Sequence, residues 1–137
     1  MLIFSEIIAP FKVQKQTLYL KRCNNKKRIK LLNERKIVCL CGSTKFKSAF
    51  ELANKEESKK GHIVLTVAMF GHLEGLDMNG SDKEIFDKLH FDKIELSDEV
   101  LVLNINGYIG ESTRNEINYA KQLNKNIRYL EKENKND

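Results

Sequence analysis

A chain of 137 residues, 41% apolar and 31% charged, is long enough for one hydrophobic core and has the composition of a folded globular protein. No apolar run approaches the ~20 residues of a membrane span, and the N-terminus lacks the basic-then-apolar order of a signal peptide, so a cytoplasmic protein without membrane contact is expected. The net charge of +5 would suggest a polyanion partner, but residues 1–35 hold nine Lys/Arg against two acids and residues 36–137 hold fifteen against seventeen, so the basicity belongs to the leader.

The chain divides into a basic N-terminal extension (1–35), an α/β domain (36–131) and a polar tail (132–137). In the extension, residues 2–9 and 17–20 read as strands separated at Pro10, or residues 25–36 read as a helix. Lys21, Arg22, Lys26, Lys27, Arg28, Lys30 and Arg35, with Tyr19 nearby, could touch phosphates. No groove-reading motif accompanies them, which favours a solvated arm and argues against nucleic acid as the partner. An upstream start codon would also account for the segment.

From Lys36 onward, short apolar runs alternate with helical periods. Residues 37–41 form a strand ending at Gly42, and residues 44–60 a helix with Phe46, Phe50 and Ala53 inward, closed by Gly61. Residues 62–69 form a second strand. Residues 70–80 form a loop with three glycines, and Ser81-x-x-Glu84 is a capping box that opens a helix to about Ser97. Residues 99–103 are the third strand, 113–124 the third helix and 126–130 the last strand. This alternation predicts a three-layer Rossmann-like (flavodoxin-like) parallel sheet of order 2-1-3-4.

Three cysteines cannot all pair. Cys39 and Cys41, two apart on one strand, point to the same face and read as small buried core residues. His62, His72 and His90 make no ligand spacing with each other or with the cysteines, so neither metal nor cofactor is expected.

In a sheet of this order the loops after the first and third strands face one crevice. After the first strand, Gly42 permits close backbone approach to a ligand, Ser43 or Thr44 caps the helix, and free N–H groups there, with Lys45, suit an anion. After the third strand, Gly107 and Gly110 mark a loop with unusual backbone angles that leads to Glu116. Thr113-x-x-Glu116 also spells a capping box, so Glu116 is either a cap or a reactive carboxylate. On the second helix Ile85, Leu89, Asp92 and Leu96 share one stripe, which sets Asp92 among apolar neighbours as a proton-donor candidate, or pairs it with Lys88 on a flank. His72 could line the pocket, and Tyr108 could stack on a base. Arg114, about 200° round the helix from Glu116, faces solvent or a partner.

A strand ending Cys-Gly-Ser, an Asp before the third strand, and SDEVLVLNINGYIGESTRNEINYAKQLNKNI at residues 97–127 together resemble the nucleoside 2-deoxyribosyltransferase superfamily, including its nucleotide N-glycoside hydrolase members. The resemblance spans residues 36–131. It implies that Glu116 is the nucleophile at the anomeric carbon and that Asp92 manages the proton at the departing base. It also implies that Gly42, Ser43, Thr44 and Lys45 hold the 5′ end of the nucleoside or its phosphate, with Gly110, Ser112 and Thr113 completing the turn. Water as acceptor gives hydrolysis and a second base gives transfer. The family's first-strand Tyr is absent from Val38 to Cys41, which weakens transfer. Glu111 stands where the family turn usually has Gly, which points to a different substrate, such as a nucleotide whose phosphate meets Ser112. The expected partner is a small-molecule nucleoside or nucleotide, and the expected assembly a homodimer. The alternative is a nucleotide-sensing module of the same fold without turnover.

Overall fold

The computed structural model describes residues 25–31, 33–68, 70 and 80–132. The expected strands at 2–9 and 17–20, most of the glycine-bearing loop with His72, and nearly all of the tail lie outside them. The chain separates into two compact units, Met1–Glu34 and Arg35–Asp137. In the first, residues 25–31 and 33–34 are helical, and Lys30 pairs with Glu34 one turn on.

The second unit is built from β1 (Ile37–Cys41), α1 (Lys47–Lys59), β2 (Ile63–Leu65), α2 (Gly80–Leu96), β3 (Glu99–Val102), a 3₁₀ turn (Ile105–Gly107), α3 (Glu111–Gln122) and β4 (Asn126–Tyr129). All neighbouring strands are parallel, in the order β2-β1-β3-β4. That is the expected order, and it follows from apolar runs too short for helices alternating with helical crossovers.

Period-two alternation sends each strand's side chains to two layers. Val38, Leu40, Leu101 and Leu103 pack with Phe50 and Ala53 of α1. Cys39, Cys41, Val100 and Val102 pack with Ile94 of α2 and with Ile117 and Ala120 of α3. The thiols therefore sit on the α2/α3 face, buried and free of disulfides.

Helix ends explain most of the boundary shifts. At the close of α1, Gly61 takes φ +83°, and the bonds Gly61 N–H to Ser58 O and His62 N–H to Glu57 O form a Schellman motif. Asn124 (φ +54°) closes α3 in the same way, with Asn124 N–H to Lys121 O and Lys125 N–H to Ala120 O. At the starts of α1 and α3 the expected caps do not form. α1 begins at Lys47 after a turn in which Phe46 N–H bonds Ser43 O at 3.0 Å. α3 begins at Glu111 with Gly110 as its cap residue and no side-chain cap bond. Thr113 is therefore the third helical residue and Glu116 the sixth, too far along for a capping box.

The stripe expected to face inward on α2 faces outward instead. Ile85, Leu89 and Leu96 are 54%, 43% and 68% exposed, and the buried positions are His90 and Ile94. No helix among the described residues is long and apolar enough to cross a membrane.

At the N-terminal ends of β3 and β4 lies a buried ionic network that no local pattern announced. Glu99 accepts from Lys36 (2.7 Å), Asn126 (2.5 Å) and Arg128 (2.9 Å). Arg128 also pairs with Glu57 of α1 at 3.0 Å, and Glu57 meets Lys60 and His62 at 2.8 and 2.7 Å. Burial alone would raise the Glu57 pKa, but these bonds outweigh it and hold the group at about 2.

Candidate active site

At the opposite, C-terminal edge of the sheet, the chains leaving β1 and β3 border a cavity of about 310 Å³. Close packing fixes this edge. A Cβ on Gly42 would stand 3.0 Å from Leu103 Cβ and 3.3 Å from Leu103 O, so only glycine lets the two chains run this near. Because α1 starts late, Ser43 and Thr44 do not cap it and both line the cavity.

The opposite wall comes from the β3–α3 connection. Asn104, 2% exposed, acts as an extra rung of the sheet: its amide donates to Glu131 O (3.0 Å) and accepts from Glu131 N–H (2.9 Å). Asn106 and Gly107 then take positive φ, 53° and 75°. Gly110 is ordinary extended backbone at φ −75° and ψ 172°, so of the two glycines expected to be unusual only Gly107 is. Tyr108, Gly110, Ser112 and Thr113 line the cavity. The first helical bond of α3 is Arg114 N–H to Gly110 O, which leaves the N–H groups of residues 111 to 113 without intrahelical acceptors beside this space. Lys45 is not part of the lining; its ammonium lies 3.3 Å from the Tyr108 ring centroid, and Phe46 meets that ring edge-on at 5.9 Å. Arg114 is exposed, as its angle from Glu116 implied.

Glu116, in the second turn of α3, reaches the cavity from below with a side chain 16% exposed. Burial raises its pKa to about 7; a bond with Cys41 partly offsets this, and the charge of Asp87 adds to it. Its Oε2 lies 3.6 Å from His90 Nε2 and has no hydrogen-bond partner among the described residues. His90 Nε2 is 3.4 Å from Cys41 Sγ. Burial, then Lys93, pushes His90 down to about 4, against a smaller opposing effect of Asp87. The Cys41 thiol is pushed well up by its bond with Cys39, by burial and by Glu116. Near neutral pH the His90 imidazole is therefore neutral, the Cys41 thiol protonated and the Glu116 carboxyl at its midpoint.

Asp92 takes no part in this. It is exposed on α2 and does not line the cavity, because the helix turns the His90–Ile94 side inward. The acid of α2 on the cavity is Asp87, bonded to Lys83 at 2.6 Å. His90, Asp87 and Cys41 are the site residues that sequence reasoning missed. For His90 the signal was the i, i+4, i+8 row Phe86, His90, Ile94, which competed with the more apolar row containing Asp92.

The fold also brings together donors that linear spacing kept apart: Cys39, Cys41 and His90 present ligand atoms within 4.8 Å of one another, a grouping able to hold a metal ion. Two thiols and an imidazole would suit zinc.

No family model matches the chain, and no curated protein matches it significantly. What fold and site define is a class: a flavodoxin-like α/β domain with a ligand-sized crevice at its topological switch point.

Proposed function

We propose that the protein cleaves or transfers at the N-glycosidic bond of a nucleoside or nucleoside 5′-monophosphate, with Glu116 as the nucleophile. The observation that carries this reading is a buried Glu116 carboxyl, its Oε2 without a hydrogen-bond partner among the described residues, in the wall of a cavity whose other walls offer hydroxyls and free N–H groups. Ser43, Thr44 and the first turn of α3 suit a 5′-phosphate, and Tyr108, 46% exposed at the rim, suits a base. Ionised Glu116 attacks the anomeric carbon through an oxocarbenium-like transition state, and water then releases the sugar. Hydrolysis is preferred over transfer, because the anion-suited loops favour a nucleotide. The buried free thiols Cys39 and Cys41 accord with a reducing cytoplasmic setting.

Incubation with a panel of ribo- and deoxyribonucleosides and their 5′-monophosphates, read by chromatography for free base, tests the reading. Release by wild type and not by Glu116→Ala is expected; no release above that control across the panel contradicts it. The second reading is a nucleotide sensor without turnover, which the half-protonated state of Glu116 favours. It predicts that a nucleotide raises the melting temperature of Glu116→Gln as much as that of wild type, with no product from either.

A further inference from the structure

We propose that His90 is the proton carrier of this site, taking the Glu116 proton as the carboxylate attacks and delivering it to the departing base. The inference rests on the glycosidic reading above and assigns the proton-handling role that Asp92 is placed too far out to fill.

The geometry has three parts. His90 Nε2 and Glu116 Oε2 lie 3.6 Å apart, with side chains 8% and 16% exposed, so they face each other out of bulk water. Neither Glu116 Oε2 nor His90 Nδ1 has a hydrogen-bond partner among the described residues, an unusual state for buried polar atoms unless a ligand or a reaction uses them. Both residues line the cavity. A separation slightly beyond hydrogen-bond length is common in ligand-free sites and closes when substrate binds.

The groups around the pair fit proton exchange. From β1, Cys41 Sγ touches the same nitrogen at 3.4 Å, a neutral contact that fixes the ring, with Cys39 behind it. From α2, Asp87 favours the imidazolium and Lys93 opposes it, while Lys93 is itself bonded to Thr66 O at 2.6 Å. From α3, the facing group is Glu116.

The proton on Glu116 Oε2 passes to His90 Nε2, leaving carboxylate and imidazolium. A carboxylate oxygen forms its bond to the anomeric carbon while the bond from that carbon to the base nitrogen breaks, its electron pair leaving with the base. The imidazolium gives its proton to that nitrogen, so the base departs neutral and His90 is neutral again. In the second half water gives a proton to His90, its oxygen bonds to the anomeric carbon, and the ester oxygen leaves as carboxylate and recovers the proton.

The test compares wild type, His90→Gln and His90→Asn on the released-base substrate and on p-nitrophenyl riboside, whose leaving group needs no proton. Expected is a loss in kcat of roughly 10²–10⁴-fold on the natural glycoside, with KM little changed, a clearly smaller loss on the nitrophenyl riboside, where His90 still serves Glu116 and water but no leaving-group proton is needed, and partial rescue by added imidazole. Equal slowing of both substrates in both variants, or no slowing, overturns the proposal. One equivalent of tightly held zinc that is lost in His90→Gln also overturns it, since Cys39, Cys41 and His90 would then be ligands. If wild type releases neither base nor nitrophenol, the glycosidic reading itself fails and the relay with it.

Discussion

Glu116 and His90 pull the stability of the protein in opposite directions as pH changes. The folded-state pKa of Glu116 is raised to about 7 from 4.5, so its contribution is fully present below pH 4.5 and is lost as pH rises through 7, a change of about 3 kcal/mol. That of His90 is lowered to about 4 from 6.5, so its contribution is present above pH 6.5 and is lost as pH falls through 4. Between about pH 4.5 and 6.5 the two slopes cancel. In urea titrations, Glu116→Gln should gain on wild type by up to about 3 kcal/mol at pH 8 but little at pH 4.5, and its own stability should rise with pH across the interval where wild type is flat. If the Gln variant is no better relative to wild type at pH 8 than at pH 4.5, the carboxyl is not buried as described. At this scale the sequence was half legible. It marked Glu116, Ser43 and Thr44, whose neighbours along the chain set the turns. His90 and Cys41 matter only through each other, 49 residues apart, and no local pattern carries that.

Among the elements, the close approach of β1 and β3 leaves little room for a side chain at Gly42. Gly42→Ala should destabilise by about 1–3 kcal/mol, because Leu103 Cβ and backbone cannot both move aside. Asn104→Ala should cost about 1–3 kcal/mol by leaving the Glu131 amide and carbonyl without their partners. It should also lower turnover more than stability alone explains, since this rung anchors the loop leading to α3. Hydrogen exchange at the amides of residues 105–110, faster in the variant than in wild type, would show the loosening; unchanged exchange would place the anchor elsewhere. Strand and helix identities were readable here, as was the opening of α2 beside Ser81, and the starts of α1 and α3 were not. Thr113-x-x-Glu116 has the letters of a capping box, yet the chain enters α3 nearly one turn earlier, at Gly110, where the extended backbone carries no side-chain cap. On α2 two rows of apolar residues competed. The buried one contains a histidine, which a hydrophobicity count discards.

For the molecule as a whole, the sheet's two ends divide the work: ligand-sized space at the C-terminal edge and ion pairing at the N-terminal edge. The order β2-β1-β3-β4 was legible because parallel crossovers leave few alternatives. The ion network was not, since Glu57, Glu99 and Arg128 come from three distant elements. Arg128→Ala removes one partner from each of two buried carboxylates, leaving Glu99 with Lys36 and Asn126 and Glu57 with Lys60 and His62, and should cost about 1.5–3 kcal/mol while leaving KM for any substrate unchanged. Glu57, held at about 2, stabilises fully above pH 4.5 and stops doing so as pH falls toward 2. The variant should therefore lose part of the wild type's added resistance in that acid window, since Lys60 and His62 still hold Glu57. A chemical denaturation series from pH 2 to 5 reads both effects.

The central claim is that Glu116 attacks the sugar carbon, and trapping the resulting ester tests it most directly. Wild type mixed with whichever nucleotide of the panel releases base, quenched in acid within its first turnovers and digested, should yield a peptide carrying one pentosyl group on Glu116. The sugar should leave with its original anomeric configuration. Turnover with inverted configuration, an adduct on another residue, or undiminished base release by Glu116→Gln would contradict it.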